Sequence, residues 1–268
     1  MEERLPAVLK ISTSNAHVLD ARQTIPALID PSTHSLFLDM DGTLLDIAAT
    51  PGAVVVPPAL VALLEKAQLR FGGALAIVTG RRIANADFLL KPLKLAASGV
   101  HGSEMRYAPD GEIICAPTGV HDDIKAELFS LAERIPGVLI EPKGVGVALH
   151  YRLVPGRKAE LEDAVRLVIK DHGKSLVVAA GRMVLEIIPS GNSKGTAIDR
   201  LMQVPPFTGR IPVMIGDDAG DKPAFETVLA RGGIALKVAG ENFPQSVSDF
   251  SGPAAVLDWL RFVVHHQS

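Results

Sequence analysis

The stretch LFLDMDGTLL, residues 36–45, decides the fold of this chain. It begins as a short apolar run, which is typical of a buried strand, and continues into Asp39, Asp41 and a Gly-Thr turn. Side chains two apart in an extended segment point to the same side, so the two carboxylates should lie close together. In an open α/β sheet the carboxyl ends of strands line the crevice where ligands bind. The alternative is a solvated turn, because Asp and Gly are common turn formers.

The composition is typical of a soluble globular protein. The 268 residues are 47% apolar and 21% charged, which suits one large domain or two smaller ones. A net charge of −3 and 4% aromatic residues give no support to nucleic acid or a membrane surface as partner. We interpret the single cysteine, Cys115, as a small apolar residue. No apolar run reaches about 18 residues, and residues 1–10 lack a signal-peptide pattern, so we expect a cytoplasmic protein.

Two regions in which predicted strands and helices alternate flank a central segment with a different pattern of predicted elements. The flanking regions predict an α/β fold with a parallel sheet and helices on both faces. The central segment combines hairpin-like strands with two helical patterns, which predicts a smaller inserted α+β module. The predicted division is an N-terminal arm at 1–20, a core at 21–105 and 189–268, and the inserted module at 106–188.

Polar side chains follow three predicted strands and begin one helix. They are Asp39 and Asp41, Thr79, Asp217 and Asp218, and Lys194. Because the carboxyl ends of parallel strands share one edge of a sheet, we expect these groups to converge. Two unit charges about 4 Å apart repel by roughly 4 kcal/mol at an effective dielectric near 20, so such a cluster raises its own pKa values or recruits a cation.

The chemistry of these groups suits a phosphate ester. Oxygen ligands without His or Cys favour Mg²⁺ as the cation. Lys194 and the Thr79 hydroxyl could hold phosphate oxygens, and aspartate is a known nucleophile in phosphoryl transfer. The sequence therefore predicts a magnesium and phosphate site at this edge.

This constellation resembles the haloacid dehalogenase superfamily of phosphotransferases. Residues 39–43, Asp-Met-Asp-Gly-Thr, match its first motif. Thr79, Lys194 and Asp217-Asp218 match the second, third and fourth motifs in the same order. The resemblance implies a Rossmann-like core, and the module at 106–188 has the position of the family's C2-type caps, which exclude water from the reaction.

The resemblance also implies roles. Asp39 would attack phosphorus, and Asp41 would protonate the leaving group and then activate water. The carboxylates of Asp39 and Asp217 and the backbone carbonyl of Asp41 would hold Mg²⁺. Asp218 would hold a metal-bound water or Lys194.

Within that superfamily the chain is similar to the trehalose-6-phosphate phosphatases. The likeness covers most of the chain from about residue 25 onward. It implies a sugar phosphate as substrate, with polar cap residues that select a disaccharide. The residues it assigns to substrate binding are Arg81, His101, Gly102, Glu141, Lys143, Arg152 and Glu186.

Other interpretations of these residues stay open at the level of sequence. Glu141 and Lys143 could be an exposed turn pair, His101 a hydrogen-bonded residue at a helix start, and Arg152 a solubilising residue on an edge strand. The family pattern usually has Thr-Asp-Glu after Gly-Asp-Asp, whereas this chain has residues 220–222, Gly-Asp-Lys, and retains only the acid, Asp221, as a supporting residue.

Other functions also stay open. The alternatives are a phosphatase for sucrose 6-phosphate or mannosyl-3-phosphoglycerate, a phosphomutase, and a non-catalytic sugar-phosphate sensor. We expect a monomer.

Overall fold

The computed structural model describes residues 29–48, 51–172 and 174–265. The predicted arm at 1–20 lies outside these residues. Residues 31–33 form a turn. No helix among the described residues is both long enough and apolar enough to cross a bilayer.

A seven-stranded sheet forms the larger part of the molecule, in the strand order β11-β10-β1-β2-β3-β4-β5. The first five strands in this order are parallel, and β4 and β5 are antiparallel additions at one end. The strands are β1 His34–Leu38, β2 Leu75–Val78, β3 Ala96–Gly99, β4 Glu104–Arg106, β5 Ile114–Cys115, β10 Ile211–Gly216 and β11 Ile234–Lys237.

Helices cover both faces of this sheet. One apolar cluster joins the sheet to α1, α2 and α7, and a second joins it to α5 and α6. Strand β1 is buried along its whole length because it lies between these two layers. The helices are α1 Leu60–Arg70, α2 Ile83–Leu89, α5 Lys194–Leu201, α6 Lys222–Ala230 and α7 Pro253–His265.

A separate four-stranded antiparallel sheet has the strand order β6-β7-β9-β8. Alternate residues of its strands, such as Val147 and Leu149, pack with two helices into a separate apolar cluster. The opposite face carries the polar residues described below. The strands are β6 Leu139–Lys143, β7 Gly146–His150, β8 Leu176–Gly181 and β9 Val184–Pro189, and the helices are α3 Asp122–Arg134 and α4 Lys158–Val168.

The predicted α/β core with an additional small α+β unit is confirmed, with one difference in where the chain leaves the core. Residues 106 and 114–115 pair within the large sheet, so the chain crosses to the small sheet between Cys115 and Asp122 rather than at 105/106. A two-residue strand is too short to show a hydrophobic period, which explains the difference. Cys115 is exposed on this outermost strand.

Candidate active site

The carboxyl ends of three adjacent strands bring the predicted motif residues to one edge of the large sheet. Asp39 follows β1, Thr79 follows β2, and Asp217 follows β10. Strand β1 pairs in parallel with both neighbours up to its last residue, so the three strands end at the same level. The convergence expected from the sequence is therefore present.

Lys194 is the positive charge at the centre of this edge. Its Nζ lies 2.9 Å from Asp39 Oδ1 and 2.6 Å from Asp221 Oδ1, and all three side chains are buried. Burial raises the pKa of Asp39 well above its ordinary value, although the charge of Lys194 opposes that shift. Burial alone would lower the pKa of Lys194, but the charges of Asp221 and Asp39 raise it well above its usual range. Lys194 is therefore a permanent cation beside Asp39.

A capping box places Lys194 at the first position of α5. The Ser193 side chain accepts a hydrogen bond from the Thr196 N–H, and the Thr196 hydroxyl accepts one from the Ser193 N–H. These two bonds fix the start of the helix. They therefore also fix the direction in which Lys194 leaves the backbone.

Asp39, Asp217 and Asp221 form an acidic group that could hold a metal ion. One oxygen of each carboxylate lies within 4.8 Å of the others. This set contains only oxygen donors, which fits a hard divalent cation. Burial, followed by the charges of Asp221 and Asp218, raises the pKa of Asp217 to about 7. Lys194 is the positive charge beside this group, and a bound cation would add further positive charge next to Asp217.

Asp221 has partners that limit its role as a ligand. Its Oδ1 holds Lys194, and its Oδ2 accepts hydrogen bonds from the backbone N–H groups of Asp217 and Asp218 at 2.9 and 3.0 Å. Asp221 therefore shapes the loop that carries the acidic motif.

The turn after Asp41 packs directly against Asp217. Thr43 Oγ1 donates a hydrogen bond to Asp217 Oδ1 at 3.3 Å. Gly42 has φ of +82°, and a Cβ at this position would lie 2.1 Å from Asp217 Oδ2. Glycine is required here both for the left-handed backbone and for the close approach of this carboxylate.

Asp218 contacts a turn of the small sheet rather than Lys194. Its Oδ2 accepts a hydrogen bond from the backbone N–H of Arg182 at 3.1 Å, and its Oδ1 accepts one from Gly220. The ion-pair partners of Lys194 are Asp39 and Asp221 instead. Arg182 lies in the turn between β8 and β9, so this turn of the small sheet reaches the acidic motif.

Thr79 and Arg81 lie in the loop after β2. The Thr79 hydroxyl accepts a hydrogen bond from the Arg81 N–H at 3.1 Å, which leaves its own O–H available as a donor. The Arg81 guanidinium donates to both oxygens of Asp41, from Nε at 2.6 Å and from Nη2 at 2.7 Å. Arg81 therefore pairs with the predicted acid/base residue.

The polar face of the small sheet lies opposite this edge. Ala148 of β7 pairs with Glu141 on one side and Glu186 on the other, so the two acids lie in one cross-strand row. Lys143, two residues after Glu141, shares the same face. The small side chain of Ala148 leaves space between the two carboxylates.

Glu186 is the centre of a buried contact between the small sheet and the core. Its carboxylate contacts Lys143 and His101, and Lys143 also donates to the backbone carbonyl of Gly80 at 3.0 Å. Burial alone would raise the pKa of Glu186, but the charges of Lys143 and His101 lower it well below its ordinary value. His101 has φ of +49°, an uncommon conformation for a residue with a side chain.

A cleft between the two sheets brings most of the predicted residues together. It has an empty volume of about 1080 Å³, including the part that opens to solvent. Two of the predicted residues lie outside its lining. Asp221 is fully buried beneath it, and Gly102 packs against Ser193, where a Cβ would lie 2.5 Å from the Ser193 carbonyl oxygen. The predicted residues in the lining are Asp39, Asp41, Thr79, Arg81, His101, Glu141, Lys143, Arg152, Glu186, Lys194, Asp217 and Asp218.

The sequence analysis assigned no role to three polar residues of the cleft, Asn85, His150 and Arg182. His150 Nε2 lies 2.9 Å from Glu141 Oε2. Burial alone would raise the pKa of Glu141, but this contact and the charge of Lys143 lower it. The alternation of β7 could have indicated His150, because it lies two residues after Ala148. Arg182 lies in a turn, where no periodicity indicates direction.

Comparisons with known proteins agree with this geometry. The family profile described as trehalose-phosphatase matches residues 37–253. The chain belongs to the trehalose-phosphatase family. It is 43% identical to the "Probable trehalose-phosphate phosphatase" of Sinorhizobium fredii, over 84% of this chain and 85% of that protein. It is 36% identical to the "Trehalose-6-phosphate phosphatase" of Escherichia coli, over 86% of each.

Solved structures give the same assignment at the level of fold. The crystal structure of a trehalose-6-phosphate phosphatase related protein superposes with a TM-score of 0.69 and 27% identity, over 85% of this chain and 96% of that chain. A haloacid dehalogenase-like hydrolase from B. subtilis superposes with a TM-score of 0.59 and 16% identity, over 85% of this chain and 99% of that one. The core therefore has the haloacid dehalogenase fold. As a member of the trehalose-phosphatase family, the chain is a phosphoric monoester hydrolase.

Proposed function

We propose that this member of the trehalose-phosphatase family hydrolyses trehalose 6-phosphate to trehalose and phosphate with the help of Mg²⁺. The observation that carries the proposal is the cleft itself. One wall holds the buried Asp39 beside the cation Lys194, and the other wall holds Glu141 and Glu186 in one cross-strand row. The names of the relatives support the choice of sugar.

The first chemical step uses Asp39 and Asp41. A carboxylate oxygen of Asp39 bonds to phosphorus while the bond from phosphorus to the sugar oxygen breaks. The proton of Asp41 moves to that sugar oxygen, so trehalose leaves as a neutral alcohol. Lys194 and the Thr79 hydroxyl hold phosphate oxygens during the transfer, since both line the cleft beside Asp39.

The second step returns the enzyme to its starting state. Water attacks phosphorus, its proton moves to Asp41, and the bond between phosphorus and the Asp39 oxygen breaks. The products are inorganic phosphate and a free Asp39 carboxylate. The small sheet lies across the cleft and limits access of bulk water to the intermediate.

Mg²⁺ fits the acidic group that Asp39 and Asp217 form, with the backbone carbonyl of Asp41 as a further ligand. When bound, it would neutralise phosphate charge and favour the ionised form of Asp39. Mg²⁺ suits this group because it usually retains several waters and takes one or two carboxylates plus phosphate oxygens.

The cap face would select the sugar. Glu141, Lys143, His150 and Glu186 present charged donors and acceptors on one face of the small sheet, and Arg152 lies beside them in the cleft. A substrate without the matching hydroxyls would form fewer hydrogen bonds with these groups, which penalises smaller sugars. Along with this assignment we propose a monomer in the cytoplasm and the division into a core and an inserted module, with the module beginning between Cys115 and Asp122.

One assay tests the function. Phosphate release is measured with trehalose 6-phosphate, sucrose 6-phosphate, mannosyl-3-phosphoglycerate and glucose 6-phosphate, each with Mg²⁺. We expect the highest kcat/KM for trehalose 6-phosphate and loss of activity on addition of EDTA or on substitution Asp39→Asn. Undiminished turnover in EDTA or in the variant would refute the mechanism, and preference for another ester would refute the substrate.

A further inference from the structure

The pairing of Arg81 with Asp41 is the most specific contact in the cleft that the proposed mechanism leaves unused. Two donors of one guanidinium meet two oxygens of one carboxylate, at 2.6 and 2.7 Å. Such a fork fixes the plane of the carboxylate as well as its position. A single point charge would fix neither.

The backbone that carries Arg81 is itself held. Its N–H donates to Thr79 Oγ1 at 3.1 Å, and its carbonyl accepts from the Val100 N–H at 2.9 Å. The next residues are held by buried Glu104, which accepts a hydrogen bond from the Ile83 N–H at 2.8 Å. The guanidinium therefore extends from a rigid base, and its side chain is only 11% exposed.

Asp41 lacks support of this kind from other side chains. Its side chain is 36% exposed, whereas that of Asp39 is 7% exposed and held by Lys194. Among the described residues, Arg81 is the one that holds the Asp41 carboxylate. An exposed aspartate on a turn would otherwise sample several rotamers.

We infer that Arg81 is a positioning residue: it aims the Asp41 carboxylate at the leaving oxygen, and it acts on the reaction through Asp41 rather than through the substrate. The inference rests on the proposed function, in which Asp41 serves as acid and base. It differs from the substrate-binding role that the sequence implied, because the donors Nε and Nη2 are directed at Asp41.

The test separates the two roles by the leaving group. A sugar oxygen needs the Asp41 proton to depart, whereas p-nitrophenolate departs without one. We expect Arg81→Met to lower turnover of trehalose 6-phosphate about 100-fold. The same variant should change the single-turnover release of p-nitrophenolate from p-nitrophenyl phosphate, with enzyme in excess, by less than about threefold.

A double-mutant cycle provides the second measurement. Steady-state turnover of p-nitrophenyl phosphate needs Asp41 for the water step, so Asp41→Asn should lower it. Adding Arg81→Met to Asp41→Asn should cause no further loss, because residues that act as a unit are non-additive. Arg81→Lys keeps the charge without the fork and should fall between wild type and Arg81→Met.

Each outcome decides the inference. Equal losses with both esters, additivity with Asp41→Asn, or no loss at all would overturn it. If Arg81→Met fails to fold, as judged by loss of a cooperative thermal transition, Arg81→Lys replaces it. The same comparison is then made between Arg81→Lys alone and Arg81→Lys combined with Asp41→Asn. Arg166→Met, at a side chain 68% exposed on α4, is the matched control and should behave as wild type. A wild-type enzyme that releases no phosphate from either ester would instead refute the proposed function.

Discussion

The two sides of the cleft neutralise buried charge in different ways. The core wall is the edge of the large sheet that carries Asp39, Lys194 and Asp217, and the cap wall is the face of the small sheet that carries Glu141, Lys143 and Glu186. On the core wall, Asp217 lies beside other carboxylates, and its pKa rises to about 7. On the cap wall, Glu186 is just as buried, yet its pKa is lowered because Lys143 and His101 contact it. Burial raises both values, so the difference comes from the neighbours. On the core wall the pKa of Asp217 stays raised although Lys194 lies nearby, whereas on the cap wall Lys143 and His101 neutralise Glu186.

The largest expected effect follows removal of Lys194, the cation that pairs with Asp39 and Asp221. Lys194→Met leaves Asp39 and Asp221 buried without their ion-pair partner, so we expect the free energy of unfolding to fall by about 3–5 kcal/mol. Urea denaturation of the metal-free protein measures it. Lys125→Met, which breaks a pair with the exposed Asp122, is the control and should cost under about 1 kcal/mol. Equal losses in both variants would remove the contrast between the site and the surface.

The next largest effect is expected when Mg²⁺ is added to the protein. Mg²⁺ at about 100 times its Kd should stabilise the wild-type protein by about 2.7 kcal/mol, because it binds only the folded site. A thermal scan at constant ionic strength should show a higher midpoint with Mg²⁺. Asp217→Asn should remove most of this shift, whereas Asp199→Asn, in an exposed pair with Arg231, should retain it. A full shift in Asp217→Asn would place the cation elsewhere.

A smaller effect is expected on the cap wall. Glu186→Gln keeps the shape but loses the charge that holds Lys143 and His101, so the sugar loses a charged partner. We expect the KM for trehalose 6-phosphate to rise about tenfold to thirtyfold. Single-turnover p-nitrophenolate release should change less than about threefold, because that ester lacks the sugar. Glu160→Gln, at an exposed side chain on α4, is the control. Equal loss with both esters would contradict the separation of the two walls.

Acid should reduce the contribution of Glu186 to the free energy of unfolding, an effect that is similar or smaller. Because the pKa of Glu186 is lower in the folded than in the unfolded protein, its contribution to stability is complete above about pH 5 and decreases as the pH falls. Urea midpoints of wild type and Glu186→Gln, measured without metal between about pH 6 and 4, should therefore converge on acidification. Parallel curves would show that the pair makes no such contribution.

The smallest effect is expected for a substitution outside the cleft, at Cys115. Cys115 is exposed on the outermost strand, away from the cleft. Cys115→Ser should leave turnover unchanged and shift the free energy of unfolding by less than about 0.5 kcal/mol. A large loss of activity would give this residue a role that its position does not explain.

The core wall was the more predictable of the two from sequence. Asp39, Thr79 and Asp217 each follow an apolar strand, and the parallel pairing of those strands suffices to bring them together. The pairing of Arg81 with Asp41 depends on side-chain torsions, which no local pattern reveals. The position of Lys194 was predictable as a helix start, since Ser193 and Thr196 form its cap.

The cap wall depends on register instead. Glu141 and Glu186 are brought into one row by the strand between them, and a shift of one residue would turn either away from the cleft. Sequence alone does not determine that register, so these residues were predictable only through the family resemblance. His150 and Arg182 show the same limit, because one depends on strand pairing and the other on the conformation of a turn.

The position of β1 has a consequence for the order in which the molecule can be made. Its neighbour β10 is far away in the chain, and the hydrogen bond from Thr43 to Asp217 spans 174 residues. During synthesis the small antiparallel sheet, which is contiguous in sequence, emerges complete while β1 still lacks β10. A ribosome-bound chain that ends before β10 therefore exposes an apolar strand and has neither Asp217 nor Asp221. The acidic motif and the second neighbour of this strand are therefore synthesised together, within residues 211–221.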